Sequence, residues 1–195
     1  LWPRPKLMIF NFPHNPTTAT VDISFFEEIV DFARRQEIIV IHDMAYSDIT
    51  FDGYDAPSLL QVKGAKEVGV EFYTMSKSYN MAGARVGFCL GNPEIINALS
   101  VIKNYYDYGV YPPIQVSAIT ALDGPQDCVR VVRERYQHRR DTLVEGLNRI
   151  GWSVPTPKAS MFLWAPIPEQ HREMGSMKFA MKMMEEAEAS ANPEC

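Results

Sequence analysis

The feature that most constrains the fold is a continuous β-branched run, Ile38-Ile39-Val40-Ile41. Such a run without polar alternation is expected of a strand buried on both faces of a parallel sheet. Parallel neighbours need crossover connections, and the sequence around the run has the pattern for them. Leu7-Met8-Ile9-Phe10 is a second apolar run of strand length, ended by the polar and turn-forming stretch Asn11 to Thr18. Between the two runs a helix is expected. Ser24 and Glu27 have capping-box spacing, and Phe26, Ile29, Val30 and Ala33 recur on one face. Glu71 to Met75 and Val86 to Leu90 read as two further strands. Asn92 followed by Pro93 marks a helix start, with Ile95, Leu99, Ile102 and Tyr106 on one face. Strands thus alternate with helices over residues 1–106, the mark of an α/β layered sheet.

The character then changes. Ile114 to Leu122 is expected to be helical, and Gly124-Pro125 breaks it. A long helix is predicted from about Gln126 to Ile150, with Val129, Val132, Tyr136, Leu143, Leu147 and Ile150 at helical steps. Met161 to Ile167 reads as a strand and Ser176 to Ala189 as an amphipathic helix. The expected organisation is an α/β domain over 1–108, connecting helices over 109–150, and an incomplete smaller α+β domain over 151–195. Arg130, Arg133, Arg135, Arg139 and Arg140 read as a solvated face of the long helix. Met177, Ala180, Met181 and Met184 read as a core-facing stripe.

Composition excludes several classes of function. With 46% hydrophobic and 22% charged residues the chain is not of the disordered class. No run of about 18 apolar residues is present, so no membrane partner or span is expected. A net charge of −5 gives no support to nucleic-acid binding. Cys89, Cys128 and Cys195 are odd in number and far apart. They match neither a zinc spacing nor a disulfide framework, which fits a reducing, cytoplasmic setting. No metal site is expected. Leu1-Trp2-Pro3 and the fading helix around Ala189 to Cys195 read as cut ends, so the chain is expected to be an interior segment of a longer protein.

Three polar clusters follow predicted strands. Asn15-Pro16-Thr17 comes after the first strand, Asp43 and Tyr46 at the end of the second, and Lys77 after the third, within Thr74-Met75-Ser76-Lys77-Ser78. Ligands in open α/β sheets bind beyond the carboxyl ends of parallel strands, so parallel neighbours would bring the three clusters to one crevice. Lys77 with its hydroxyl neighbours, and Arg85 eight residues on, could hold a phosphate. The same Lys, desolvated, could form a Schiff base. A Lys with an Asp partner for a pyridinium nitrogen is the pairing used with pyridoxal phosphate. Each piece also has an ordinary reading: a turn at Asn15, a cap at Asp43, packing at Tyr46, a surface position for Lys77. The ordered set carries the argument.

That set resembles the class I/II aminotransferases of the fold-type I pyridoxal-phosphate superfamily. The stretches NFPHNPTT, IHDMAYSDITFDG and TMSKSYNMAGARVGF carry the likeness. The last follows the family's S/T-x-S-K-x-x-x-x-x-G-x-R signature. The spacings of 28 residues from Asn15 to Asp43 and 34 from Asp43 to Lys77 also fit. The likeness continues through DYGVYPPIQVSAITALDGPQD, and is greatest to alanine and LL-diaminopimelate aminotransferases.

The resemblance implies part of a three-layer α/β/α large domain, residues 1–108 being the C-terminal portion of this cofactor-binding domain, and pyridoxal 5'-phosphate as cofactor. It implies transfer of an amino group between an amino acid and a 2-oxo acid, with Lys77 as the catalytic residue. Lys77 would bond the cofactor and later shuttle a proton. Asp43 would hold the ring nitrogen protonated, Asn15 and Tyr46 would bond the ring oxygen, and Thr74 and Arg85 would bind the phosphate, with Ser76 assisting. A homodimer is implied, with Tyr108 in the segment nearing the neighbouring subunit's site. Ala84 stands where the nearest subfamilies usually carry Trp. The family's glycine-containing phosphate loop and ring-stacking aromatic would precede Leu1, and its carboxylate-binding Arg would follow Cys195; the context of Arg172 does not match. The isolated segment is therefore expected to be incompetent as a transaminase. Three other readings stay open: different pyridoxal-phosphate chemistry (a β-lyase or decarboxylase), a non-catalytic sensor domain of a transcription regulator, or a non-functional truncated product.

Overall fold

Four strands form one sheet in the order β1 (Leu7–Asn11), β2 (Ile39–Asp43), β3 (Gly69–Thr74), β4 (Gly87–Gly91) in the computed structural model, which describes residues 5–187. β1, β2 and β3 are parallel, with Leu7 opposite Ile39 and Ile41 opposite Val70. β4 runs antiparallel to β3, pairing Thr74 with Gly87. The carboxyl ends of the three parallel strands therefore lie side by side, as the cluster argument requires. Gly69 allows the β2–β3 approach: a Cβ there would come within 2.6 Å of the Val40 carbonyl oxygen.

Helix α1 (Ile23–Gln36) buries Phe26, Val30 and Ala33 against Val40, Leu59 and Ala65. This is the apolar face foreseen, and replacing a fully buried Phe such as Phe26 by Ala costs about 3–5 kcal/mol. The capping-box expectation is corrected. The helix starts from Asp22 in extended backbone, without a side-chain cap, and Ser24 falls inside the first turn. Burial of Ile38–Ile41 on both faces is also corrected. Val40 is fully buried, yet Ile39 is 41% exposed, and Ile9 on the same sheet face is 66% exposed. Tertiary cover, not strand composition, decides whether a sheet face is buried.

The short helix α2 (Ala65–Val68) leads into β3, and after β3 the chain turns through the short helix α3 (Met75–Ser78). Helix α4 (Pro93–Tyr106) begins as expected: Asn92 Oδ1 accepts from the backbone N–H groups of Glu94 and Ile95, with Pro93 at the first position. Its expected apolar face is half-buried at Ile95 and Leu99 but exposed at Ile102 and Tyr106. Helix α5 (Pro112–Asp123) sets Ala118 against Met75 and Val86. Helix α6 (Asp127–Arg149) lies within a residue of the expected bounds.

Arg140 departs from the solvated-face reading of α6. Its side chain is 7% exposed, and its guanidinium forks onto Asp52 at 2.6 and 3.2 Å while lying 4.6 Å from the Phe51 ring centroid.

The expected strand at Met161–Ile167 does not form. Residues 161–167 contain no strand, and pairing at this place is a single bridge between Thr50 and Ala159. The β-like composition has no partner strand to ladder with among the described residues, and Pro166 and Pro168 lack the N–H a ladder would use. Helix α7 (Gly175–Ala187) forms, but the methionine stripe is not core. Ala180 is buried, whereas Met177, Met181 and Met184 are exposed. The helix packs instead through Phe179, edge-on to Trp152 and stacked on His171, each at 5.5 Å. The expected continuation to Ala189 lies outside the described residues. Among them, no helix is long and apolar enough to cross a membrane, and no group of His, Cys, Asp and Glu residues could hold a metal ion.

Candidate functional site

Three loops meet at the carboxyl ends of β1, β2 and β3. The β1 loop contains cis peptides at Phe12–Pro13 and Asn15–Pro16, and it presents Asn15. Asn15 Nδ2 donates to the Tyr46 hydroxyl at 3.4 Å. Tyr46 comes from the turn after β2 and is 5% exposed, its ring meeting Phe162 edge-on at 5.5 Å. Burial, reinforced by the nearby Asp43 charge, raises the Tyr46 pKa, so the hydroxyl stays protonated at neutral pH. Lys77, on α3 after β3, places Nζ 5.7 Å from the Tyr46 ring centroid.

Asp43 ends β2, opposite Asn11 on one side and Phe72 on the other. Its side chain is exposed, and Oδ1 accepts from the Ala45 N–H at 3.1 Å. Thr74 caps α3: Oγ1 accepts from the Ser76 N–H at 3.1 Å and lies 2.9 Å from Ser76 Oγ. Arg85 has left-handed backbone, φ 54°, just before β4, and donates to the Ala82 carbonyl at 3.1 Å. The pairing of Thr74 with Gly87 brings this segment back to the same end of the sheet. Asn15, Tyr46 and Lys77 thus form one contact set. Asp43 and Thr74 occupy strand ends beside it, and Arg85 stands exposed at the edge. Tyr108 is 94% exposed with φ 56°. Arg172 pairs with Glu169 at 2.6 Å on the 3₁₀ turn Glu169–Met174.

The site rests on groups that sequence reasoning missed. His42 is fully buried, with Nδ1 2.9 Å from Glu71 Oε2 and Nε2 3.2 Å from the Phe12 carbonyl oxygen. Glu71 also accepts from Ser58 Oγ and the Leu59 N–H, both at 2.7 Å. This network ties β2 to the loop that carries Asn15. The available signal was polar residues at inward positions of otherwise apolar strands, since buried polar groups need partners. Asp48, Tyr73 and Ser78 form a second unforeseen cluster, and Phe162 reaches Tyr46 from 116 residues away in sequence. Nothing local to Phe162 announces that contact.

The donor set fits pyridoxal 5'-phosphate. An amine, a carboxylate, an amide, a phenol and a hydroxyl pair come from three adjacent strand ends. Among the described residues Lys77 and Asp43 make no ion pair. The family model for aminotransferase class I and II matches residues 2–193. This chain belongs to that family.

The class I/II aminotransferases use pyridoxal 5'-phosphate, and the α/β fold seen here is shared with enzymes of their fold type I. Glutamate-pyruvate aminotransferase AlaC of Escherichia coli is 53% identical over 98% of this chain and 47% of its own length. LL-diaminopimelate aminotransferase of Moorella thermoacetica is 49% identical over 97% of this chain and 48% of its own. Among solved structures, apo-BacF of Bacillus subtilis superposes with a TM-score of 0.91 at 33% identity, covering 97% of this chain and 48% of that one. N-succinyldiaminopimelate aminotransferase of Mycobacterium tuberculosis gives 0.89 at 28% identity, covering 99% and 50%. The chain spans about half the length of the curated relatives it matches.

Proposed function

We propose that the protein containing this chain moves an amino group between an amino acid and a 2-oxo acid, and that this chain supplies its cofactor-bonding lysine. The observation that supports this reading best is Lys77 Nζ over the ring of Tyr46, whose hydroxyl in turn meets Asn15. Pyridoxal 5'-phosphate, when bound, supplies an aldehyde that takes up the amine and a ring that accepts electrons as the Cα proton leaves.

The residues divide the remaining work. Lys77 offers its amine for the covalent bond and, once released, carries a proton as a general base and acid. The Asp43 carboxylate holds a proton at the ring nitrogen. Tyr46 and Asn15 donate hydrogen bonds to the ring oxygen; the raised pKa of Tyr46 keeps its proton available for this. Thr74, Ser76 and Arg85 hold the phosphate, Arg85 through charge-assisted bonds.

Homodimer formation belongs to the same proposal, with the exposed Tyr108 directed to the other subunit, as does a cytoplasmic location. For the donor, the names of the two relatives above point to alanine or glutamate and to LL-diaminopimelate as the first compounds to assay. The lysine assignment is tested by borohydride reduction of the full-length holoprotein and peptide mapping. The pyridoxyl group is expected on Lys77; label on Lys63, Lys66 or Lys103 instead overturns the reading.

A further inference from the structure

A single carboxylate oxygen joins the loop carrying Tyr46 to both sides of Lys77. Asp48 Oδ2 accepts from the Tyr73 hydroxyl at 2.5 Å and from Ser78 Oγ at 2.6 Å. Tyr73 lies on β3 immediately before Thr74, and Ser78 follows Lys77 directly. Asp48 itself stands two residues after Tyr46, in the turn closed by the Ile49 N–H on the Tyr46 carbonyl at 3.0 Å.

Each of these three side chains is fixed independently. Ser78 is fully buried, so its hydroxyl has no bulk water to fall back on. The Tyr73 ring stacks on Phe88 at 5.2 Å with 4° between planes. Burial and the Asp48 hydrogen bond raise the Tyr73 pKa, which keeps its hydroxyl a donor. The Asp48 turn is pinned from the far side of the chain: the Ser160 N–H donates to the Ile49 carbonyl at 2.8 Å, and the Phe51 N–H donates to the Lys158 carbonyl at 2.9 Å. Among the described residues Asp48 has no cationic partner; its charge is spent on the two hydroxyls. An ionised acceptor makes such bonds roughly twice as strong as a neutral one.

We propose that Asp48 is a positioning residue: it clamps the Lys77 turn through Ser78 and Tyr73, and so holds the lysine amine over the Tyr46 ring. This rests on the reading of Lys77 as the cofactor-bonding residue. The step it controls is condensation, in which the Lys77 nitrogen bonds the cofactor aldehyde carbon and one water leaves. No oxidant or reductant is needed.

The test uses the full-length protein, freed of cofactor and reloaded with pyridoxal 5'-phosphate. The absorbance change as the aldehyde bonds Lys77 gives the loading rate, and borohydride mapping gives the site. Misplacing a reacting group by about 1 Å can cost on the order of 100-fold. Asp48→Ala and Ser78→Ala are each expected to slow loading by roughly 10- to 100-fold, and the double variant to be no slower than Asp48→Ala alone. If Asp48→Ala does not fold, Ser78→Ala and Tyr73→Phe decide, the latter keeping the ring stack on Phe88. Loading within about twofold of the parent in the folded variants, with label on Lys77, overturns the clamp alone. Label elsewhere in the parent overturns both the clamp and the lysine assignment.

Discussion

The Lys77 ammonium lies 5.7 Å from the centre of the Tyr46 ring, although 31 residues separate the two in sequence. The distance is set by parallel pairing. β2 and β3 are adjacent, so the turns leaving their carboxyl ends share one space. A cation over an aromatic face is favourable by about 0.5–1 kcal/mol when exposed and more when desolvated, enough to bias the lysine toward the ring. Tyr46 is thus both the floor under the amine and a hydrogen-bond partner of Asn15.

Replacing Tyr46 by Phe keeps that floor and deletes the hydroxyl. The contact with Asn15 at 3.4 Å is long, so the stability loss is expected at the low end of about 0.5–1.5 kcal/mol. The cofactor's visible spectrum and turnover in the full-length protein should change more than stability does. Thermal melts beside spectra of the loaded protein check this; an unchanged spectrum removes Tyr46 from the ring-oxygen role.

Asp43 separates function from folding cleanly, because its side chain is exposed and accepts one local backbone bond. Asp43→Asn should leave the melting temperature nearly unchanged, as surface substitutions usually stay within about 0.5 kcal/mol. Turnover of the full-length enzyme should fall by about 30- to several-thousand-fold, the loss of a charge partner worth roughly 2–5 kcal/mol once cofactor and protein enclose it. Steady-state kinetics showing comparable turnover in the folded variant would reject the ring-nitrogen role.

Arg140 is predicted to matter for stability rather than chemistry. It forks onto Asp52, donates to the Pro157 carbonyl at 2.9 Å and covers Phe51, all from a nearly buried position. Arg140→Met should cost about 1.5–3 kcal/mol, read from denaturant unfolding, by removing charged hydrogen bonds. Arg140→Lys should recover only part, since an ammonium cannot fork.

Alkaline pH should destabilise the fold. Burial raises the pKa values of Tyr46, Tyr54, Tyr73 and Tyr79 above the ordinary 10.0. With folded-state values above unfolded ones, the native state holds more protons than the unfolded chain. The associated stability is full below pH 10 and is lost as pH rises through the folded values. Melting temperatures should fall above about pH 10 in step with tyrosinate absorbance, and Tyr73→Phe should blunt the slope. A flat profile from pH 9 to 12 would contradict the shifts.

The 195-residue chain studied by itself should self-associate. Leu7 and Ile39 are paired in register and exposed, with Ile9 beside them, leaving an apolar sheet face open. Sedimentation should show concentration-dependent species. Ile9→Lys and Ile39→Lys should reduce them, and a monodisperse monomer in the parent chain would refute the prediction.

The local sequence by itself determined what depends on nearest neighbours along the chain. β1 and β2, α1 with its buried Phe26–Val30–Ala33 face, and the Asn92–Pro93 start of α4 follow from period and capping chemistry, which act over a few residues. The ordered set Asn15, Asp43, Tyr46, Thr74, Lys77 and Arg85 was legible for the same reason, as polar groups placed directly after apolar strands. Tertiary structure decided the rest. It left Met161–Ile167 without a ladder because no strand lies beside it among the described residues, and it left Met177, Met181 and Met184 exposed because the helix packs through Phe179 against Trp152. It also brought Asp48 to Ser78 and Tyr73, and His42 to Glu71. Those contacts span 25 to 30 residues, where hydrogen-bond partnership depends on which loops the sheet sets side by side and not on any spacing along the chain.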